Sequence, residues 1–178
     1  MQKSAKKPRP LKRESLDELA LAYVARFATS QAKLTRYLNR KLRERGWDDA
    51  DPPQIEMLVE RIAGYGYVND AAYAEGQARS LTRRGYGRRR VNAALTAAGI
   101  DESDRESADQ LTEAARVDAA WRYAERRRWG PFATEPVVDR AKREKMIAAF
   151  LRAGHEMTIA RAILAMAPGQ DRDALEQA

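Results

Sequence analysis

The residues of this sequence best suited to bind a charged partner are six arginines within twelve positions: Arg79, Arg83, Arg84, Arg88, Arg89 and Arg90. No Asp or Glu lies between Gly76 and Ile100 to neutralise them. Two interpretations of this run stay open. It is either a solvated surface whose repulsion is screened by salt, or a surface held for an anionic partner, namely phosphates or an acidic protein surface.

The turn Gly85-Tyr86-Gly87 divides the arginine run into two predicted helical pieces. The second piece begins with three arginines, although the partial positive charge of a helix N-terminus disfavours cations there by a few tenths of a kcal/mol each. Tyr86 either packs in the core or stacks on a nucleic-acid base, because aromatic residues beside basic ones do both. For Tyr67 and Tyr73 we expect core positions.

A second basic patch lies near the end of an earlier predicted helix, at Arg40, Lys41, Arg43 and Arg45. Cations are favourable at a helix C-terminus, so the patch has a structural explanation as well as a functional one. The formal net charge is +7, yet residues 1–100 carry +9 and residues 101–178 carry −2. An anionic partner should therefore meet the first part of the chain.

The residues needed for catalysis or for a metal site are missing from the sequence. There is no cysteine and one histidine, His155, which we expect to follow a helix cap. One imidazole builds neither a His-based metal site nor a Ser-His-Asp triad, and no glycine cluster is followed by the Lys-Ser/Thr pair of a phosphate-binding loop. We expect no enzyme activity, no cofactor and no metal.

Hydrophobic residues recur with the period of amphipathic helices, and the 44% hydrophobic content relies heavily on alanine. The first helix is predicted from Leu16, with Ser15 as its N-cap, and the second ends at Gly46. Asp51-Pro52 is a start signal for a third helix. No alternating strand pattern persists, so the sequence predicts an all-α protein.

The helical pattern repeats three times along the chain. Segments ending in Gly46, Gly99 and Gly154 align at separations of 53 and 55 residues, with apolar residues four and eight positions before each glycine. We therefore predict three tandem three-helix modules that form an elongated, curved body. Their predicted bounds are 16–66, 67–116 and 117–168.

Three segments interrupt or flank these modules. Residues 1–15 are basic and are predicted to form a flexible tail, and residues 169–178 to form a C-terminal tail. The segment 129–136 contains glycine and proline and is predicted to be a loop insertion in the third module. Its Trp129 and Phe132 either fold back onto the module or form an exposed contact point.

The middle module resembles a known family. Gly66-Tyr67-Val68-Asn69-Asp70, Tyr73-Ala74, Arg84-Gly85-Tyr86-Gly87, Val91, Leu95 and Gly99-Ile100 follow, over about 35 positions, the central signature of the RecX family. That family regulates the RecA recombinase. The resemblance extends from about Leu16 to Met166 and is strongest in the second module.

The resemblance implies a protein that lies in the helical groove of the RecA filament on single-stranded DNA. Such a protein lowers ATP hydrolysis, filament growth and strand exchange. We expect the two basic patches, with Tyr86, to face either acidic RecA surface or DNA phosphates, and single-stranded DNA to be met through the filament.

A different class of function remains open beside this one. A three-helix unit with a basic helix also describes stand-alone DNA-binding proteins, which would act by competing for DNA and bind it with a steep salt dependence. The sequence has neither a signal peptide nor a stretch of about 20 apolar residues that could span a membrane. We expect a cytoplasmic monomer without membrane contact.

Overall fold

The computed structural model describes residues 9–173. Within them lie the α-helices α1 (Arg13–Val24), α2 (Gln31–Arg45), α3 (Ile55–Gly64), α4 (Asp70–Arg83), α5 (Arg88–Ala98), α6 (Glu106–Ala114), α7 (Arg116–Arg127), α8 (Arg140–Arg152) and α9 (Met157–Ala165). Two 3-10 turns, Glu102–Asp104 and Gly130–Phe132, precede α6 and follow α7. The prediction of an all-α protein is confirmed, because these residues contain no strand and only one isolated bridge, between Leu11 and Trp47.

The repeat found in the sequence corresponds to the middle helix of each predicted module. The helices α2, α5 and α8 are followed by Gly46, Gly99 and Gly154, with φ angles of 82°, 73° and 93°. Glycine adopts this left-handed conformation without the steric cost that a Cβ brings. The aligned apolar positions lie in the interior, among them Leu38, Leu95 and Phe150, which are fully buried.

The described residues form two compact units. One contains the residues up to Tyr73 together with Ala98–Ile100, and the other contains Ala74–Ala97 together with the residues from Asp101 onward. These units do not coincide with the three predicted modules. The module bounds at residues 66 and 116 therefore stay predictions.

The core of the first unit is formed by the apolar faces of α1, α2 and α3. Its members include Leu16, Leu34, Leu38 and Ile62, all 3% exposed or less. Burial of one such leucine or isoleucine side chain contributes about 1.5–3 kcal/mol. Helical periodicity alone was sufficient to place these residues in the core.

The predicted start of the first helix is wrong by a few residues. Lys12 is the N-cap of α1, and Ser15, the predicted cap, lies in the first turn, where its hydroxyl accepts from the amide of Lys12 at 2.8 Å. Leu11 is fully buried and exchanges backbone hydrogen bonds with the chain around Trp47. Only residues 1–8 of the predicted basic tail lie outside the described residues.

The third helices of the first two modules, which the sequence predicts to begin near Asp51 and Asp101, both begin later. The helix α3 starts at Ile55 and not at Asp51, because Pro53 disfavours helical backbone in the preceding Pro52. The indole Nε1 of Trp47 donates to the carbonyl oxygen of Asp51 at 2.7 Å and fixes this non-helical segment. The helix α6 likewise starts at Glu106, after the 3-10 turn.

Within the first unit, the end of α5 meets the start of α2. The hydroxyl of Ser30, the buried N-cap of α2, donates to the carbonyl oxygen of Ala98 at 2.6 Å and accepts from the amide of Lys33 at 3.2 Å. Gly99 lies against Ala32 so closely that a Cβ at position 99 would clash with that side chain. This contact requires glycine at position 99 for space as well as for φ.

The core of the second unit lies between α7, α8 and α9. Phe150 is fully buried and packs edge-on against Tyr123, with ring centroids 4.9 Å apart. Trp129 and Phe132 of the loop insertion fold back onto this core. The ring centroids of Trp129 and Phe150 are 5.9 Å apart, and those of Phe132 and Trp121 are 5.0 Å apart. The first of the two predicted alternatives for the loop is therefore confirmed.

The residues after α9 remain attached to the second unit. The amide of Gly169 donates to the carbonyl oxygen of Pro131 at 2.8 Å, and Arg172 forms an ion pair with Asp118. The first residues of the predicted C-terminal tail, 169–178, are therefore held against the second unit, and residues 174–178 lie outside the described residues.

Candidate anion-binding interface

The arginine run is held by the turn Gly85-Tyr86-Gly87 in the second unit. Gly87 lies against the backbone of Gly154, where a Cβ would clash with the carbonyl group. The amide of Gly87 donates to the carbonyl oxygen of Ala153 at 2.9 Å, and the amide of Arg89 donates to that of Gly154 at 3.1 Å. The turn after α8 thus supplies acceptors for the first amides of α5.

This contact explains how three arginines can begin a helix. The C-terminal end of α8 carries the partial negative charge of its unpaired carbonyl groups. That end lies against the N-terminus of α5, where Arg88, Arg89 and Arg90 form the first turn. The negative end of one helix therefore offsets the unfavourable placement that the sequence indicated.

All six arginines of the run are exposed, but their local partners differ. Arg79 pairs with Glu75, and Arg88 pairs with Glu113 at 3.4 Å. The guanidinium groups of Arg84 and Arg90 lie 5.4 and 5.9 Å from the centre of the Tyr86 ring. Among residues 9–173, four of the six have no ion pair, namely Arg83, Arg84, Arg89 and Arg90.

Tyr86 and Arg90 also line an open cleft in the second unit. The cleft has a volume of about 600 Å³, and its lining includes Arg126 and Arg127 of α7 and Arg152 of α8. The guanidinium of Arg127 lies 5.3 Å from the ring centre of Tyr123 and 5.5 Å from that of Trp129. No carboxylate belongs to this lining, which therefore presents four positive charges to solvent.

Sequence analysis did not indicate that the three arginines from α7 and α8 belong to this cleft. Arg126 and Arg127 end a helix, where cations are ordinary, and Arg152 lies 62 positions beyond Arg90. The repeat does not connect them either, because it aligns Arg152 with Ala97 and not with Arg90. Folding of the second unit is what collects these side chains.

His155 supports the turn that carries Tyr86. Its side chain is buried, with 3% exposed, and its Nε2 lies 3.2 Å from the carbonyl oxygen of Gly85. A carbonyl group only accepts, so this nitrogen carries the proton and donates. Burial lowers the pKa of His155 to about 4 and the charge of Arg126 adds to that effect, although the bond to Gly85 opposes it. The ring is therefore neutral at neutral pH and adds no charge to the cleft.

The second predicted patch, in the first unit, is divided by its local contacts. Lys41 and Arg40 approach Glu44 at 2.7 and 3.6 Å, and the hydrogen bond from Lys41 is the main reason that the pKa of Glu44 is lowered. Arg45 donates from Nε to the carbonyl oxygen of Arg9 at 2.8 Å. Arg43 is exposed and, within residues 9–173, has no ion pair.

Part of this patch lines a cleft of its own. Arg40 and Arg43 border a cavity of about 500 Å³ that is also lined by Lys33 and Tyr37. Lys33 is not free there, since its Nζ donates to the hydroxyl of Tyr73 at 2.9 Å. Local contacts thus occupy Lys41 and Arg45, so this patch offers an anionic partner fewer unpaired cations than the arginine run does.

The tyrosines before the arginine run differ in exposure. Tyr73 is half-buried, but the prediction of a core position for Tyr67 is wrong, since 61% of it is exposed. Its ring lies edge-on to that of Tyr65, with centroids 6.4 Å apart, across a turn at Gly66 where φ is 79°.

In the part of the chain described, no group of side chains could hold a metal ion, and no helix is long and apolar enough to cross a membrane.

Comparison with known proteins identifies the family. Residues 69–108 match the family model for the second three-helix domain of RecX. The regulatory protein RecX of Myxococcus xanthus (strain DK1622) is 30% identical over 170 residues, which cover 92% of this chain and 91% of that protein. The chain belongs to the RecX family. The regulatory protein RecX of Mycobacterium sp. (strain JLS) is 33% identical over 140 residues, or 78% of this chain and 68% of the relative.

Solved RecX structures share the fold. A crystal structure of regulatory protein RecX superposes with a TM-score of 0.64 over 84% of this chain and 70% of its own, at 20% identity. RecX from Lactobacillus salivarius gives a TM-score of 0.59 over 85% and 93% of the two chains, also at 20% identity. The six arginines of the run lie inside the match to the second three-helix domain of RecX, residues 69–108, whereas Arg126, Arg127 and Arg152 lie beyond it.

Proposed function

We propose that this protein binds the RecA filament on single-stranded DNA in its helical groove. There it inhibits RecA ATP hydrolysis, filament growth and strand exchange, acting as a cytoplasmic monomer. Membership of the RecX family supports the proposal. The observation that carries it is the exposed arginine run, in which four guanidinium groups have no ion pair among residues 9–173.

The run has the properties of a surface for an anionic partner. Its backbone is fixed by hydrogen bonds of 2.9 and 3.1 Å to the turn after α8, so little order must be gained on binding. Unpaired, exposed cations raise association rates with anionic surfaces and lose that effect in salt. An acidic RecA surface and DNA phosphates both meet this description.

The test is the RecA ATPase rate on single-stranded DNA as the protein is titrated in, repeated with a several-fold excess of DNA. We expect inhibition at far fewer molecules than RecA protomers, and no relief by the extra DNA. Inhibition that occurs only near saturation of the DNA, and that extra DNA relieves, would refute filament regulation.

A pair of variants ties the activity to the arginine run. Arg88 is engaged with Glu113, so the cleaner reversal is Arg83→Glu with Arg89→Glu, since both are exposed and unpaired within residues 9–173. We expect weaker filament binding with unchanged helical content. The matched control is Arg140→Glu with Lys142→Glu, which changes the charge equally in exposed residues of α8. Equal binding by the two variants would refute this role of the run.

The second candidate is a stand-alone DNA-binding protein that competes with RecA for the strand. The cleft with four arginines and no carboxylate favours it. It predicts tight binding to DNA alone, with an affinity that falls steeply as salt rises. Relief of inhibition by excess DNA, in the same ATPase experiment, would support this candidate over the first.

A further inference from the structure

The cleft in the second unit brings together four arginines from three helices. Arg90 comes from α5, Arg126 and Arg127 from α7, and Arg152 from α8. Within residues 9–173 none of them has an ion pair, and no carboxylate lines the cleft. Four like charges so close together repel one another, and nothing in the cleft itself compensates them.

Two of these guanidinium groups are held in place by aromatic rings. Arg127 lies over Tyr123 and Trp129, and Arg90 lies 5.9 Å from the ring centre of Tyr86. Stacking on a ring orients the planar guanidinium and leaves its N–H groups free at the edge. Such an edge donates two parallel hydrogen bonds to a phosphate.

We propose that this cleft binds the phosphodiester backbone of single-stranded DNA directly. The inference rests on the proposed function in one respect, since a regulator of the RecA filament meets that strand; the competing candidate requires the same contact, and the ATPase rate with excess DNA separates the two. It adds a direct contact and assigns it to Arg126, Arg127 and Arg152, which lie beyond residues 69–108, the match to the second three-helix domain of RecX.

The dimensions and the lining favour a single strand over other anions. A cleft of about 600 Å³ lies in the size range of ligand sites and has room for a short piece of one strand. Tyr86 is half-buried, so part of its ring remains available to an unpaired base. Basic grooves with aromatic side chains bind single strands in this manner, through phosphates and base stacking together.

The first experiment measures DNA binding without RecA. The full chain is titrated into a fluorescein-labelled oligothymidylate of about 15 nucleotides, and the anisotropy gives Kd at several salt concentrations. The test variant carries Arg126→Gln, Arg127→Gln and Arg152→Gln. The control carries Arg140→Gln, Lys142→Gln and Arg161→Gln, which remove equal charge from exposed residues that do not line the cleft.

We expect the test variant to bind at least about tenfold more weakly than the unaltered protein near physiological salt. Each lost phosphate contact reduces the slope of log K against log salt by roughly 0.7, so three lost contacts reduce it by about 2. The control should keep both Kd and slope within about twofold. A test variant that behaves as the control does would overturn the proposal.

A second measurement uses the unaltered protein, in case the triple variant folds poorly. Phenylglyoxal modifies exposed arginines, and mass spectrometry reports the rate at each one. We expect the oligothymidylate to protect Arg126, Arg127 and Arg152 while Arg140 and Arg161 react as before. Equal protection by polyglutamate at matched charge would overturn the assignment to DNA, because an acidic protein segment would then suffice.

The two proposals fail in different assays. If the test variant loses DNA binding but still inhibits the RecA ATPase, the cleft is confirmed while filament regulation depends on another surface. If the unaltered protein binds the oligothymidylate through the cleft but never inhibits RecA, the proposed function fails alone.

Discussion

Acidification should destabilise the protein through its only histidine. The folded structure lowers the pKa of His155 to about 4, whereas an exposed histidine has a pKa near 6.5. The folded state therefore favours the neutral ring. The stability that His155 contributes as a neutral ring is fully present above about pH 6.5 and is lost as the pH falls toward about 4.

The size of the effect follows from the two pKa values. Linkage gives a loss of about 2.5 kcal/mol in the free energy of unfolding between about pH 8 and about pH 4.5. A small domain has about 5–15 kcal/mol in total, so a loss of this size is easily measured. The physical cause is burial beside Phe150 and Tyr123, whose ring centres lie 5.5 and 5.3 Å from the imidazole.

The assay is urea unfolding across this pH range, for the unaltered protein and for His155→Gln. An amide side chain can still donate to the carbonyl oxygen of Gly85 but does not titrate. Carboxylates titrate in the same range in both proteins, so the difference between the two curves isolates the histidine. A single histidine also makes its NMR titration unambiguous. A folded-state midpoint near 6.5, or two parallel curves, would refute the reasoning.

Two further substitutions test the contacts at the two ends of α5, and Gly76→Ala serves as a control. Gly87→Ala forces a Cβ into the backbone of Gly154 and should lower the free energy of unfolding in urea by roughly 2–4 kcal/mol. Gly76→Ala, at an open position inside α4, should raise it by about 0.5–1 kcal/mol. Similar changes in both variants would contradict the clash. Ser30→Ala removes a buried N-cap that also donates to Ala98, and should lower the free energy of unfolding by about 1–2 kcal/mol; a change near zero would mean that this contact contributes nothing.

Much of the helical architecture could be predicted because it depends on local rules. The apolar period and the glycine after α2 are both visible in the sequence, since Leu34 and Leu38 lie on one face and Gly46 ends the helix. The exposure of the six arginines between Arg79 and Arg90 could be predicted in the same way. Six cations without a nearby carboxylate have no place in a core.

The features that sequence reasoning missed depend on contacts between distant residues. Leu11 is one apolar residue in a basic segment, and only its pairing with the chain around Trp47 shows that it is buried. Tyr67 has the composition of a core residue, but the turn at Gly66 leaves it outside. The cleft combines Arg90 with Arg152, and no periodic pattern connects positions so far apart.

The close contact of a cap glycine with an earlier helix occurs twice, with consequences for how such a chain can evolve. Gly99 lies against the first turn of α2, and Gly154 lies against the first turn of α5. A substitution of either glycine would therefore push two helices apart. A Cβ at Gly46 would meet no atom within 4 Å, so only the backbone angles there, φ 82° and ψ 176°, require glycine. Internal duplication could therefore lengthen the chain by repeating this glycine–helix contact. The glycine of an added module would then pack against the first turn of α8, at Arg140.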